Sequence, residues 1–556
     1  MTSFGRLWRT VRHLKPIQII GRAYFLWRRP RLDPRPAPPL RPATGRWALP
    51  AAREASQVAP LRLRFLGVEK ALDDCGWDRP EVDRLWRYNL HYFDDLNARG
   101  AAQRSGLQRD LLNRWLAQNP PPQGTAWEPY PVSLRSVNWI KWFLAGQPPQ
   151  ADWLQSLALQ LRWLNRRLEW HLLGNHLFAN AKALVFAGLY FEGDEARGWL
   201  VRGLRILARE LPEQILADGG HFERSTMYHA LALEDLLDLL NLISARADAA
   251  SPAQRLVPEL RQRASALLHW LRCMSHPDGG IGLFNDAAQG IAPDNTELEA
   301  YAARLGIVAD QPPAEGVTDL SPSGYVRAAR GTAVALLDLA PIGPDYLVGH
   351  AHADSLAFEL SLHGRRIVVN GGSSCYGLSA QRLRERGTAW HSTVQIGHGD
   401  SSEVWSGFRV GRRARMRQRQ LQGWTVIGAH DGWRCLPGAP LHRRQWTLAA
   451  DALVVDDRIE SAAAAAPALP TAVARFHLAP GLHLVPGDNP ARWLVNDGQR
   501  TWAEIDVEVG DAAVADSLHA PRFGVLLAAQ ALVVTLRDGH ARTRWRWRPD
   551  AHPVSH

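Results

Sequence analysis

A chain of 556 residues is longer than one hydrophobic core usually sustains, so two or more domains are expected. With 46% hydrophobic and 22% charged residues it has the balance of a folded protein, which excludes a disordered one, and no run reaches the roughly 18 apolar residues of a membrane span. The net charge of +10, carried almost wholly by Arg, favours polyanionic partners: nucleic acid, anionic lipid or acidic polysaccharide. The four Cys residues stand far apart with no CxxC pair, so neither a disulfide framework nor a thiolate zinc site is indicated.

Taken in chain order, the first stretch, "MTSFGRLWRTVRHLKPIQIIGRAYFLWRRPRL", is apolar but repeatedly interrupted by basic residues. It lacks the continuous apolar core and small-residue cleavage site of a signal peptide. It reads as a basic amphipathic helix resting on an anionic membrane or on the protein's own body. A Pro/Arg-rich arm follows at 28–47, so residues 1–60 are expected to form a helix and an extended arm. Residues 61–315 carry apolar positions at spacings of three and four. "SLRSVNWIKWFLAG", "WLQSLALQLRWLNRRLEWHLLGNH", "ANAKALVFAGLYF", "EARGWLVRGLRILAREL" and "MYHALALEDLLDLLNLISARA" each predict a helix, separated by short breaks as in stacked helical hairpins. From about 316 to 556 the period falls to two, predicting a long antiparallel β domain. "SAAAAAPALP" (461–470) is expected as a surface loop. Helices first and strands second argue for two domains, not an alternating α/β fold.

Four clusters could carry chemistry. In "WEPYPVSLRSVNWIKW" (127–142), Arg135 and Asn138 lie three apart on one side of a helix beside Trp139 and Trp142, a set that suits an acidic sugar. Most of the 23 Trp residues are nonetheless expected in the core. In "LLGNHLFANAKAL" (172–184), Asn175 and His176 follow a glycine at a helix junction, where such a pair is ordinarily a cap. In "DGGHFERSTMYHALALEDL" (218–236), a Gly-Gly turn enters a helix through Glu223, Arg224, Ser225 and Tyr228, which could equally be a turn, a capping Ser and a packed Tyr. In "GHAHADS" (349–355), His350, His352 and Asp354 alternate, so on a strand they share one face. That face could be a metal site, an acid–base site or a wet sheet surface; His391, before a later strand, could complete a zinc triad.

In this order "GNHLFANAKAL", "ERSTMYH", "HAHADSLAFEL" and "WHSTV" resemble the signature segments of the heparinase II/III family of polysaccharide lyases. The resemblance runs from about residue 84 through the "WHSTV" segment. It implies an N-terminal incomplete α/α toroid followed by a C-terminal antiparallel β-sandwich, with a glycan cleft between them. The implied activity is cleavage of a uronic-acid-containing polysaccharide by β-elimination. Asn175, with His176, matches the position that neutralises the uronate carboxylate; Tyr228 and His350 match the proton-transferring residues, and which of the two is the base stays open. Arg135, Asn138 and Arg224 are expected to bind substrate. His352 and His391 match ligands of a structural zinc, but the third ligand, an Asp in that pattern, is Asn370 here. Asp354 would orient an imidazole from behind. Ala179 stands where some members carry an acidic residue. These departures keep a non-catalytic acidic-glycan-binding protein associated with exopolysaccharide production as the alternative. The expected partner is an acidic polysaccharide, with no nucleic acid and no organic cofactor, and with peripheral membrane contact through the N-terminus; the expected location is the periplasm or cell envelope, with the cytoplasm as the alternative in the absence of a clear signal peptide.

Overall fold

A computed structural model describes residues 2–461 and 470–548. Most of the expected loop at 461–470 therefore lies outside the described residues.

The amphipathic spacings form long helices. Pro129–Leu144, Ala151–Asn165, Gly174–Tyr190, Asp194–Gln214, Thr226–Arg246 and Val257–Cys273 follow one another; Gly174–Tyr190 packs on Pro129–Leu144, Asp194–Gln214 and Thr226–Arg246, and Thr226–Arg246 packs on Val257–Cys273. Their apolar stripes close on one core that includes Trp139, Trp153, Leu184, Leu207, Leu237 and Leu267. The expected helix over "WLQSLALQLRWLNRRLEWHLLGNH" is two pieces. The first stops at Asn165 and a new one starts at Gly174; Leu173 and Gly174 both take positive φ, which no right-handed helix can run through, so the two cannot be continuous there. A small antiparallel sheet at Gln57–Ala59, Arg62–Phe65 and Val68–Ala71 precedes the helices, and its short strands gave no clear signal.

Among the described residues the period-two region forms antiparallel sheets of five, eight and four strands and a two-stranded ribbon at Val404–Trp405 and Arg409–Val410. The five-stranded sheet runs in chain order through Gly316–Leu320, Tyr325–Arg330, Ala333–Asp338, Phe358–Leu362 and Arg365–Val368. The eight-stranded sheet begins with Met416–Gln422 and Thr425–His430, and the four-stranded one contains Ala472–His477 and Leu527–Thr535. Leu360, Trp446, Val455, Phe476 and Leu532 from the three sheets share one apolar core, the interior of a sandwich. Toroid and sandwich are joined by packed side chains: Trp270, Met274 and Phe284 lie against Tyr325 and Leu336. This junction holds the connection 339–357, between the third and fourth strands of the five-stranded sheet, against the helical domain.

Candidate active site

A cavity of about 1720 Å³ opens at that junction, and its wall brings Asn175, His176, Tyr228 and His350 together. Each is delivered by a specific local device. A Cβ at Gly174 would meet the Leu347 side chain at 2.4 Å, and its φ of 53° already favours glycine. The turn it makes sets Asn175 and His176 into the first turn of helix Gly174–Tyr190, where unpaired backbone N–H groups and the helix dipole attract an anion. Neither side chain caps the helix. The Asn175 amide lines the cavity and has no hydrogen-bond partner among the described residues.

His176 Nδ1 lies 3.2 Å from Glu169 Oε1, and Glu169 is itself held by the Asn180 Nδ2 donor at 3.0 Å. Burial opposes a charge on His176, but the carboxylates of Glu169 and Glu223 outweigh it and raise its pKa above the usual 6.5. The folded value exceeds the unfolded one, so this pair stabilises the fold fully below pH 6.5 and loses that contribution as pH rises through the folded pKa. The Glu169→Gln variant is expected to lower the His176 pKa. An NMR titration of the imidazole checks this, and an unchanged midpoint would show that Glu169 does not set it.

Tyr228 is the third residue of helix Thr226–Arg246, whose N-cap Ser225 accepts from the Tyr228 N–H and donates to the Asp286 carbonyl at 2.5 Å. The Tyr228 ring lies against the His350 ring, with centroids 4.0 Å apart, and its hydroxyl is 3.1 Å from that of Tyr376. Burial, and then Tyr376 beside it, push the Tyr228 phenol well above its usual pKa of 10, so it is a neutral acid near neutral pH.

His350 Nδ1 donates to Asp286 Oδ2 at 2.8 Å, which leaves Nε2 as the acceptor, 3.7 Å from Glu223 Oε2. Asp286 is the hub of the site. It is fully buried and also accepts from His352 Nε2 at 2.7 Å and from both terminal nitrogens of buried Arg382, Nη2 at 2.7 Å. Burial raises the Asp286 carboxyl, but Arg382 and the two histidines outweigh it and hold it well below the usual carboxylate range. Glu223 is the opposite case. It is buried with no side-chain hydrogen bond among the described residues and has a raised pKa, because desolvation outweighs the pull of His350, His176 and the Asn175 backbone N–H.

Several expectations are corrected. "GHAHADS" is not a strand: residues 349–357 form an irregular connection, held by Asn285 Oδ1 accepting from the His352 N–H and by the Asp286 N–H donating to the His350 carbonyl. Asp354 contacts neither imidazole and instead accepts from the Asn285 N–H at 3.1 Å; Asp286 does the orienting. Arg135 does not reach the cavity. It is buried, donates to Gln160 and to the carbonyls of His91 and Ala126, and lies 4.1 Å from the Trp115 ring centroid. Arg135→Ala is therefore expected to cost about 3 kcal/mol or more of stability through unsatisfied buried acceptors, with no effect on glycan affinity, as denaturant titration and a binding assay will read. Arg224, at φ 59°, turns away from the cavity to donate to the Ser323 carbonyl, tying toroid to sandwich. Asn138 lines the cavity, but its amide is engaged by the Tyr92 carbonyl and Asp94. Ala179 also lines it.

The expected zinc ligands do not make a zinc set. His352 Nδ1 and His391 Nε2 are 3.3 Å apart and hydrogen-bond each other, and Asn370 leaves a buried, unpartnered Nδ2 nearby in the fold. Among the described residues no group of three His, Cys, Asp or Glu side chains could hold a metal. Two imidazoles and a neutral amide lack the carboxylate that the resemblance implies.

Asp286, Arg382 and Tyr376 were not anticipated, and Glu223 was expected only as part of the turn that enters the helix of Tyr228. "LFNDAAQG" offered the one readable signal, an Asn-Asp pair following an apolar run.

Comparison with known proteins agrees with a toroid, a sandwich and a cavity between them. The chain matches the profiles "Heparinase II/III N-terminus" over residues 77–303 and "Heparinase II/III-like, C-terminal" over 312–548; it belongs to the heparinase II/III-like family. A solved heparinase III structure superposes with a TM-score of 0.65 at 17% identity, covering 96% of this chain and 84% of that one, which shows the shared fold. Among characterised sequences, the heparin-sulfate lyase of Bacteroides thetaiotaomicron is 25% identical over 52% of this chain and 47% of its own length. FtsZ-localized protein C of Caulobacter vibrioides is 27% identical over 92% of this chain and 88% of its own.

Proposed function

We propose that this protein is a polysaccharide lyase that cleaves beside a uronic acid by β-elimination. The observation that carries the reading is one cavity holding a raised-pKa imidazole, an unpartnered amide, a neutral phenol and an imidazole whose proton is fixed on Nδ1.

The chemistry needs these four groups. The proton to be removed, on the carbon beside the carboxylate, is very weakly acidic, and its loss places a second negative charge on an anion. His176 and Asn175 bind the carboxylate, so charge developing on its oxygens meets an imidazole whose charged form Glu169 and Glu223 favour, and an amide donor already in place. His350 Nε2 takes the proton; the resulting imidazolium is stabilised through Nδ1–H by Asp286. Tyr228, kept protonated by its surroundings, donates to the leaving glycosidic oxygen. The electrons of the broken C–H bond form the new C=C bond as the C–O bond breaks, and no water is consumed. Glu223 is free to accept hydrogen bonds from sugar hydroxyls.

The test is digestion in heavy-oxygen water. A lyase leaves the label out of both new chain ends, whereas a hydrolase introduces one labelled oxygen per cut, and that result would overturn the reading. The alternative, a non-catalytic glycan-binding protein, is favoured by one observation: the relative aligned over nearly the whole chain is named for localising with FtsZ, not for cleaving a glycan. It predicts binding of acidic glycans with no cut chains at all.

A further inference from the structure

The two N-terminal helices are packed inside out. In Thr2–Val11 the polar face is turned inward: Arg6 and Arg9 pair with Glu403, and Thr10 accepts from the Trp405 indole. Its opposite face, Phe4, Leu7 and Trp8, is turned to solvent, with Phe4 81% and Trp8 59% exposed. In Pro16–Trp27 the inner positions are Gln18, donating to the Tyr346 carbonyl, Gly21, against the backbone at Trp170 and His171, and Phe25, whose ring lies tilted against His171 with centroids 4.3 Å apart. The helical spacing therefore turns Ile20, Tyr24 and Trp27 outward, flanked by Ile19 and Leu26; Ile20 is 68% and Trp27 85% exposed. A surface helix of a globular protein normally does the reverse. Lys15, between the helices, pairs with Glu213, so the first apolar face is anchored from behind by ion pairs and the second by Lys15, Gln18 and Phe25.

The charge around this face is one-sided. Residues 1–32 contain eight Lys and Arg and no Asp or Glu. Three of the eight face inward onto Glu403 and Glu213, while Arg12, Arg22, Arg28, Arg29 and Arg31 are exposed and pair with no carboxylate among the described residues. An apolar face with Trp and Tyr, rimmed by unpaired guanidinium groups, matches the layering of an anionic bilayer surface: acyl chains below, aromatic rings at the headgroups, phosphates around the arginines. We infer that these two helices are a peripheral anchor that seats the protein on an anionic lipid surface, with Phe4, Trp8, Ile20 and Trp27 inserted. No helix among the described residues is long and apolar enough to cross a membrane, so the inferred contact is a surface one. Leu7, Leu14 and Leu26 also border the active-site cavity, which places its mouth beside the bilayer. The inference stands whether or not the cavity is catalytic.

The experiment is flotation of the full chain with vesicles of phosphatidylcholine alone or mixed with phosphatidylglycerol, at low and physiological salt. The expected result is binding to the mixed vesicles, weaker at higher salt. Binding should weaken by about tenfold or more in Ile20→Asp/Trp27→Asp and in Arg22→Gln/Arg28→Gln/Arg29→Gln. All five positions are exposed, so unchanged thermal melts will separate lost binding from lost fold. Absence of binding to the mixed vesicles, or equal binding by all variants, overturns the inference. So does a dimer in light scattering that Ile20→Asp/Trp27→Asp dissociates, since a second copy would then cover this face.

Discussion

Tyr228→Phe is expected to lower kcat by about 10²- to 10⁴-fold, with KM and stability little changed. The hydroxyl makes one hydrogen bond, to the Tyr376 hydroxyl, so its removal costs at most about 1.5 kcal/mol of folding free energy. The ring that packs on His350 is retained in Phe. The loss thus falls on proton donation to the leaving oxygen. The direction of the phenol's pKa separates the two possible roles. Burial first, and Tyr376 second, keep it protonated well past pH 10, so Tyr228 as the acid predicts a rate that does not climb toward alkaline pH. A rate rising steadily with pH toward phenol ionisation, with His350→Ala retaining most activity, would make Tyr228 the base instead. Kinetics of the wild type and both variants across pH decide it.

Asp286→Asn is expected to be costly twice over. Its carboxylate receives hydrogen bonds from His350, His352 and both terminal nitrogens of Arg382, all in the interior. Neutralising it leaves the Arg382 guanidinium buried without an anion, and breaking a buried pair from one side typically costs about 3–5 kcal/mol. The amide can also donate, so it no longer compels the Nδ1–H tautomer of His350. Activity is expected to fall by at least about 100-fold even in the folded fraction. Denaturant unfolding reads the first effect and kcat on the folded enzyme the second. A stable variant with unchanged kcat would show that Asp286 neither braces the site nor orients the base. Because the Asp286 carboxyl is held far below its unfolded value, its stabilisation is fully present above the unfolded carboxylate pKa and is lost as pH falls through the folded one.

How much of this was legible in the sequence depends on the range of the interaction that decides each feature. The change of period near residue 316 is local and marked the passage from helices to sheets, because periods of 3.6 and 2 follow from backbone geometry alone. The interior of Arg135 was not legible. Residues three apart on a helix differ by about 60° in direction, enough for Asn138 to face the cavity while Arg135 points among Gln160, His91 and Trp115. "GHAHADS" alternates as a strand would, yet its conformation is set by hydrogen bonds from Asn285 and Asp286, more than sixty positions earlier in the chain. For the same reason the carboxylate that orients an imidazole was expected at Asp354, within the same stretch, when it is Asp286 on a different segment. Asp286 and Arg382, 96 positions apart, carry no spacing signal and meet only when toroid and sandwich pack.

The measurement that bears most directly on the proposed activity is ultraviolet absorbance during incubation of the full chain with a panel of uronate glycans, sulfated and unsulfated, beside the Tyr228→Phe variant. Elimination creates a C=C bond conjugated with the uronate carboxylate, so absorbance should grow on at least one glycan with the wild type and stay flat with the variant. Chain cleavage without growth in absorbance, or equal growth with the variant, would contradict β-elimination at this site.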